Sequence, residues 1–174
     1  MKKPHLFKKD YGEYSENPPK KFGFLIRPTL QEYNDFILLF DKLLSDNINK
    51  KFFENDISLE FEQKRKDGKI HVIEKNTLNL LDEWIRKRFI SQNYDLWDKS
   101  INSLRKVRKQ RQNPAHSIDE DIFDQIYFKK QREILIEGYS AIRTIRLIFA
   151  NHPNVKSSNI KIPDWLFQGK IWNF

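Results

Sequence analysis

Apolar side chains recur every three or four residues along four stretches of the chain, a spacing typical of helices with one buried face. The first stretch follows Thr29 and Glu32, whose capping-box spacing predicts a helix start. The others begin at Asn76 or Thr77, near Tyr94 and near Phe123, and the last continues to about Ala150. The predicted buried faces are Leu30, Tyr33, Ile37, Phe40 and Leu44; Leu78, Leu81, Ile85 and Phe89 with Trp84; Trp97, Ile101, Leu104 and Val107; and Phe123, Ile126, Ile134, Gly138, Ala141, Ile145 and Ile148. A short helical piece is also predicted over Ile48 to Phe53, so the fold class is mainly α.

Between the first two long helices, from Ile57 to Glu74, the apolar period changes from helical to alternating. Asp67-Gly68 lies between the two alternating runs, which predicts a β-hairpin over residues 57–74 because its turn needs positive φ. Four cations cluster at the predicted tip, at Lys64, Arg65, Lys66 and Lys69. The tip is either a nucleic-acid-binding wing or simply an exposed, charged turn.

The chain of 174 residues has the length of one domain and enough apolar residues, 39%, for a core rather than disorder. We divide this single domain into a charged arm (1–21), a helix and hairpin region (22–75), a helical core (76–151) and an aromatic tail (152–174). A net charge of +8 favours an anionic partner such as nucleic acid. The chain has no cysteine, no signal-peptide pattern and no apolar run long enough for a bilayer, so we expect no membrane association and a cytoplasmic location.

The most distinctive stretch combines cations with a single histidine. Five of the seven residues 105–111 are cations, namely Arg105, Lys106, Arg108, Lys109 and Arg111, and Asn113-Pro114 then leads to His116. A guanidinium can hold a phosphate while an imidazole transfers protons at neutral pH, a combination that suits RNA chemistry. Arginine precedes histidine at a similar distance in Arg65 to His71 and Arg146 to His152. Only Arg111 is followed directly by uncharged polar residues, at a break between two predicted helices.

Arg111-Gln112-Asn113-Pro114-Ala115-His116 resembles the Arg-x4-6-His signature of the HEPN superfamily, and the resemblance covers about residues 77–151. It implies a HEPN-like bundle of about five helices, a homodimer, and a metal-independent endoribonuclease without cofactor in a toxin–antitoxin or phage-defence system. It assigns catalysis to Arg111 and His116 and supporting roles to Gln112 and Asn113, and it implies RNA and an antitoxin or regulatory protein as partners. Ile118 stands where some HEPN toxins have tyrosine, and Gln112 where asparagine is more usual.

The remaining candidates for nucleic-acid binding lie on the last long helix. Arg132 and Arg143 fall with Lys129 and Arg146 in one sector of the helical wheel, where they would track a phosphate backbone together with the basic run at 105–109. Two alternatives use the same residues differently. The chain could be a non-catalytic helical module that binds nucleic acid or a partner protein and keeps the motif as a structural cap, or it could be an antitoxin-like or scaffold subunit.

Overall fold

The computed structural model describes residues 3–9, 23–112, 121–152, 155 and 163–169, and these residues form two compact units. The first unit contains residues 3–9 and 39–90, and the second contains 23–38 and the described residues from 91 to 169. In the described part of the chain the fold is mainly helical with one two-stranded antiparallel sheet. The coarse prediction of a helical fold with a small hairpin is therefore confirmed.

Helix α1 (Leu30–Asp41) belongs to the second unit through Leu38 and to the first unit from Leu39. Only half of its predicted capping box forms. The Thr29 hydroxyl accepts a hydrogen bond from the Glu32 amide at 3.2 Å, as predicted. The Glu32 carboxylate instead accepts from the amides of Ile26 and Arg27, at 3.1 and 2.9 Å, and thereby fixes the chain that enters the helix.

After α1, the chain of the first unit continues in two short helical turns. Lys42–Asp46 forms a π-helical turn directly after α1, and Lys50–Phe52 forms a 3₁₀ turn capped by the Asn49 side chain. The helix predicted over Ile48 to Phe53 is therefore shorter than expected. Residues 6–8 of the predicted N-terminal arm hydrogen-bond with residues 47 and 49, so at least this part of the arm packs on the unit.

The hairpin consists of strands β1 (Glu60–Lys64) and β2 (Ile70–Glu74) in antiparallel register. The Gly68 amide donates to the Arg65 carbonyl, and Gly68 has φ +82°, the left-handed conformation that the Asp-Gly pair predicted. The hairpin forms as predicted, and nearly every residue on both of its faces is exposed.

Two more helices follow. Helix α2 (Thr77–Arg88) is capped by Asn76, whose side-chain oxygen accepts from the Asn79 amide at 2.9 Å. Helix α3 (Asp95–Gln112) buries the predicted stripe of Trp97, Ile101, Leu104 and Val107 completely.

In the second unit, helix α4 (Ile126–Ala150) packs against α3. Its buried stripe runs through Tyr127, Gln131, Ile134, Gly138, Ala141 and Ile145. The expected burial of Phe123 and Ile126 is wrong, because both are exposed. Phe123 precedes the helix in a β-bridge with Thr29, and Ile126 lies one position off the stripe. Helix α5 (Asp164–Gln168) follows, with Leu166 buried.

Candidate functional site

The candidate site begins at the C-terminal end of α3. Arg111 and Gln112 occupy the last turn of this helix, as the sequence predicted. The buried stripe of α3 ends at Val107 and includes none of the five cations between residues 105 and 111. Lys106 and Lys109 are exposed, whereas Arg105, Arg108 and Arg111 are partly buried. Cations near a helix C-terminus also stabilise the helix dipole, so part of this charge supports the helix itself.

One hydrogen bond fixes the end of α3 to its neighbours. The Tyr33 hydroxyl donates to the Gln110 side-chain oxygen at 2.8 Å, and the Tyr33 ring contacts the Tyr127 ring with centroids 5.4 Å apart. Burial, together with the carboxylates of Glu133 and Glu137, raises the pKa of Tyr33 to about 12. The hydroxyl therefore stays protonated at physiological pH and remains a donor to Gln110.

The same contacts show that α3 and α4 run antiparallel. Gln110 and Tyr127 both contact Tyr33, while Lys106, one turn earlier in α3, pairs with Glu137 further along α4 at 2.7 Å. The end of α3 therefore lies beside the start of α4. Residues 113–125 join these two ends in the sequence, so the Arg111–His116 motif begins at this end of the helix pair.

The other half of the motif, which contains Asn113 and His116, lies outside the described residues. Within the described half, Gln112 is exposed and Arg111 is partly buried. The spatial relation of Arg111 to His116 is therefore an expectation from their spacing.

Lys106 and Arg143, both predicted to bind RNA, are bound to other groups of the protein. Lys106 is bound to Glu137, so an incoming phosphate would compete with a carboxylate for it. The Arg143 guanidinium donates to the backbone carbonyl of Leu166, at 2.6 Å, and to that of Phe167. Arg143 thus holds α5 against α4, a structural role that the helical wheel did not indicate. Its RNA-binding role stays a prediction.

The other cations of the α4 sector lie nearer the surface. Arg132 and Arg146 are exposed, and Lys129 is 3.9 Å from Glu133 one turn away, a distance typical of a weak surface pair. These positions are accessible to a phosphate backbone. Their contribution to RNA binding stays a prediction.

The two competing arginine–histidine pairs lie elsewhere. Arg65 and His71 are exposed on the hairpin of the first unit, whereas Arg146 and His152 lie at the end of α4 in the second. The His152 amide donates to the Phe149 carbonyl, which continues the helical turn. His152 is thus a helix-end residue, as its sequence position suggested.

A charged cluster around Asp56 was not anticipated from the sequence. The Asp56 carboxylate accepts hydrogen bonds from Lys3, from the Trp84 indole at 2.6 Å, and from Arg88. Desolvation by itself would raise the pKa of Asp56, but the hydrogen bonds from these three donors outweigh it and lower the pKa to about 2. The Lys3 ammonium also lies 4.2 Å from the centre of the Phe52 ring, a favourable cation–π distance. No sequence signal identifies this cluster, since Asp56 is 53 positions from Lys3 and 28 positions from Trp84.

Gln131 was also missed, although a signal existed. It is buried in α4, where its side chain accepts from the Leu25 amide at 3.2 Å and donates to the Gly23 carbonyl at 3.3 Å. The spacing of Tyr127, Gln131 and Ile134 is the four-then-three repeat of a buried helical face. A polar residue at such a position indicates a buried hydrogen-bonding role.

Among the residues that the structure describes, no three histidine, aspartate or glutamate side chains come together in a way that could hold a metal ion. No helix in the described part of the chain has both the length and the apolar character needed to cross a membrane. Comparison with protein-family models, with characterised proteins and with solved structures produced no match.

Proposed function

We propose that this protein is a metal-independent endoribonuclease of the HEPN type, with its catalytic site at the Arg111–His116 motif. The observation that carries the proposal is the position of Arg111 and Gln112 in the last turn of α3, at the end of a basic run and beside the start of α4. A motif in the connection of such a helix pair can draw on both helix ends. The first amides of α4 are hydrogen-bonded to residues 124 and 125, so this end would act on an anion through the positive end of the helix dipole.

The residues of the motif suit cleavage by the RNA's own 2′-hydroxyl. The 2′-oxygen attacks the adjacent phosphorus, the bond to the 5′-oxygen breaks, and a 2′,3′-cyclic phosphate and a 5′-hydroxyl result. We assign proton transfer to His116 and stabilisation of the phosphorane-like charge to Arg111. Gln112 would orient the phosphate by a hydrogen bond, and Asn113 would support the connection.

The chemistry requires both a base for the 2′-hydroxyl and an acid for the leaving 5′-oxygen. One chain offers a single suitable histidine at this site. A two-fold homodimer whose axis passes near the motif would place two copies of His116 and Arg111 at one cleft, because an isologous interface repeats each residue. We therefore propose a homodimer with a mass of twice the 21.1 kDa of one chain.

The setting that fits this activity is bacterial toxicity or phage defence in the cytoplasm, with RNA as substrate and an antitoxin or regulatory protein as neutralising partner. An uncontrolled ribonuclease would damage its host, which is the reason to expect such a partner. The basic residues Arg105, Arg108 and Lys109, together with Arg132, would supply the electrostatic attraction for RNA.

A comparison of histidine variants tests the proposal. The purified wild-type protein, His116→Ala and His152→Ala would be incubated with a labelled single-stranded RNA. Because general acid–base catalysis contributes about 10²- to 10⁴-fold, we expect His116→Ala to slow cleavage by at least that order while RNA binding is retained. His152→Ala, the matched control at a competing arginine–histidine spacing, should cleave like wild type.

A variant at Arg111 distinguishes its role from that of His116. Arg111→Ala should weaken both RNA binding and cleavage, because the guanidinium contacts the phosphate before and during the reaction. Cleavage by His116→Ala at the wild-type rate would refute the assignment. Salt-sensitive binding without cleavage by wild type would favour the non-catalytic nucleic-acid-binding module instead.

A further inference from the structure

The β1–β2 hairpin leaves three large apolar side chains exposed to solvent. Phe61 is 43% exposed, Ile70 63% and Val72 53%. A two-stranded hairpin is only marginally stable by itself in water, and its side chains are normally buried against a third element. Here both faces are open to solvent.

The strand register sorts the side chains of the hairpin into two unlike faces, because successive residues of a strand point to opposite sides. We call the first the aromatic face. From base to tip it carries the opposed pairs Phe61–Ile73, Gln63–His71 and Arg65–Lys69. The other face carries Glu60 opposite Glu74, Glu62 opposite Val72, and Lys64 opposite Ile70. All three strand carboxylates therefore lie on the face opposite Phe61.

The tip of the aromatic face concentrates positive charge at a cost to the hairpin. Arg65 and Lys69 are directly opposed, since the Arg65 amide donates to the Lys69 carbonyl at 2.8 Å, and opposed like charges destabilise a strand pair. Glu74 on the other face has Lys50 as a partner at 2.7 Å. Within the part of the chain that the structure describes, no carboxylate forms an ion pair with Arg65 or Lys69. An anionic partner would relieve this repulsion.

We propose that the aromatic face of the hairpin binds single-stranded RNA. Arg65 and Lys69 would contact backbone phosphates, and a base would stack on Phe61, while the Gln63 amide and the His71 imidazole lie between them as hydrogen-bonding groups. Stacking on an exposed ring requires an unpaired base, which is why a single strand fits this face better than a duplex. Phe61 and Arg65 are about 13 Å apart along the strand, so they would contact different nucleotides.

This inference rests on the proposed function only for the choice of RNA as the nucleic acid. Its residues belong to the first unit, whereas the Arg111–His116 motif belongs to the second. In this proposal the hairpin holds the RNA, and bond cleavage is assigned to the motif.

Fluorescence anisotropy with a labelled oligoadenylate tests the proposal in the full-length His116→Ala protein, in which turnover does not interfere. Two changes lie on the aromatic face, Phe61→Ala and Arg65→Glu. Their matched controls on the opposite face are Ile70→Ala and Lys64→Glu, which remove similar apolar surface and the same charge. All four side chains are exposed, and far-UV circular dichroism would verify that the variants fold.

We expect Phe61→Ala to weaken binding by about tenfold, as loss of one stacked base does. Arg65→Glu should weaken binding by a similar factor and reduce the slope of log affinity against log salt by about 0.7 or more. The two controls should change affinity by less than about twofold. Equal losses of affinity for the variants and the controls would overturn the proposal, since they would indicate a nonspecific charge effect. The proposal would also be overturned if the parent protein bound the same strand equally well as part of a duplex.

The outcomes separate this inference from the proposed function. Binding that depends on Phe61 and Arg65, without cleavage by the wild-type protein, would support the hairpin site and refute the ribonuclease. Cleavage that depends on His116, with binding indifferent to Phe61 and Arg65, would support the ribonuclease and refute the hairpin site.

Discussion

Replacement of Asp56 by asparagine tests the charged cluster that holds Lys3 to the first unit. The carboxylate side chain is only 10% exposed and is bound by Lys3, Trp84 and Arg88. The fold lowers the pKa of this carboxyl group from 3.8 to about 2. Since a pKa difference of one corresponds to about 1.4 kcal/mol, the charged carboxylate contributes at most about 2.5 kcal/mol to the free energy of unfolding. Because the Lys3 and Arg88 side chains are 47% and 49% exposed, solvent screening reduces the expected loss of unfolding free energy to about 1 kcal/mol.

The pH dependence distinguishes this electrostatic effect from a packing effect. A carboxylate whose pKa is lower in the folded state stabilises the protein fully above the unfolded pKa of about 3.9. The stabilisation is lost as the pH falls from there through about 2. The difference between wild type and Asp56→Asn should therefore be about 1 kcal/mol at pH 7 and should shrink steadily below pH 4.

Urea denaturation followed by tryptophan fluorescence at pH 7, 4 and 3 measures this difference. Glu54→Gln is the matched control, because it removes the same charge from an exposed neighbouring carboxylate and should leave the unfolding free energy nearly unchanged. The reasoning fails if Asp56→Asn is as stable as wild type at pH 7. It also fails if the loss is the same at pH 3 as at pH 7.

Two further predictions concern hydrogen bonds inside the second unit. Arg143→Ala removes the donors to the Leu166 and Phe167 carbonyls, so it should destabilise the protein by about 1.5–3 kcal/mol and expose α5 to proteolysis. Thermal denaturation and limited trypsin digestion measure these two effects. Unchanged stability would contradict the prediction. Gln131→Leu leaves the Leu25 amide and the Gly23 carbonyl without their buried partner, and should cost about 1–3 kcal/mol in urea denaturation. A Gln131→Leu protein more stable than wild type would show that the apolar replacement compensates fully.

Local signals in the sequence predicted the elements of this fold well. The buried stripe of α3 from Trp97 to Val107 follows from helical spacing, and the hairpin follows from Asp67-Gly68. Asn76 was one of two predicted caps for α2, and its side chain makes the capping bond. Each of these signals depends on residues a few positions apart, where backbone geometry alone decides which side chains share a face.

Contacts between distant residues were not predictable in the same way. Lys3 and Asp56 are 53 positions apart, and Lys106 and Glu137 are 31 apart. Nothing in the spacing of such residues distinguishes a paired cation from one available for RNA. The helical wheel therefore assigned Arg143 to a phosphate-binding sector, although its guanidinium binds the α5 backbone.

The sequence predicted only the part of the candidate site that depends on local signals. The sequence placed Arg111 and Gln112 at the end of a helix, and α3 ends at Gln112. The hydrogen bond from Tyr33 to Gln110, which fixes that helix end, joins residues 77 positions apart and has no local signal. Asn113 and His116 lie outside the described residues, so their roles depend on the resemblance and on chemistry.

The chemical nature of the RNA ends tests the central claim most directly. Purified wild-type protein would be incubated with a labelled single-stranded RNA in the presence of EDTA, and the fragments would be analysed for their termini. The account predicts fragments that carry 2′,3′-cyclic phosphate and 5′-hydroxyl ends. Fragments with 3′-hydroxyl and 5′-phosphate ends, or an RNA left intact until a divalent metal ion is added, would contradict it.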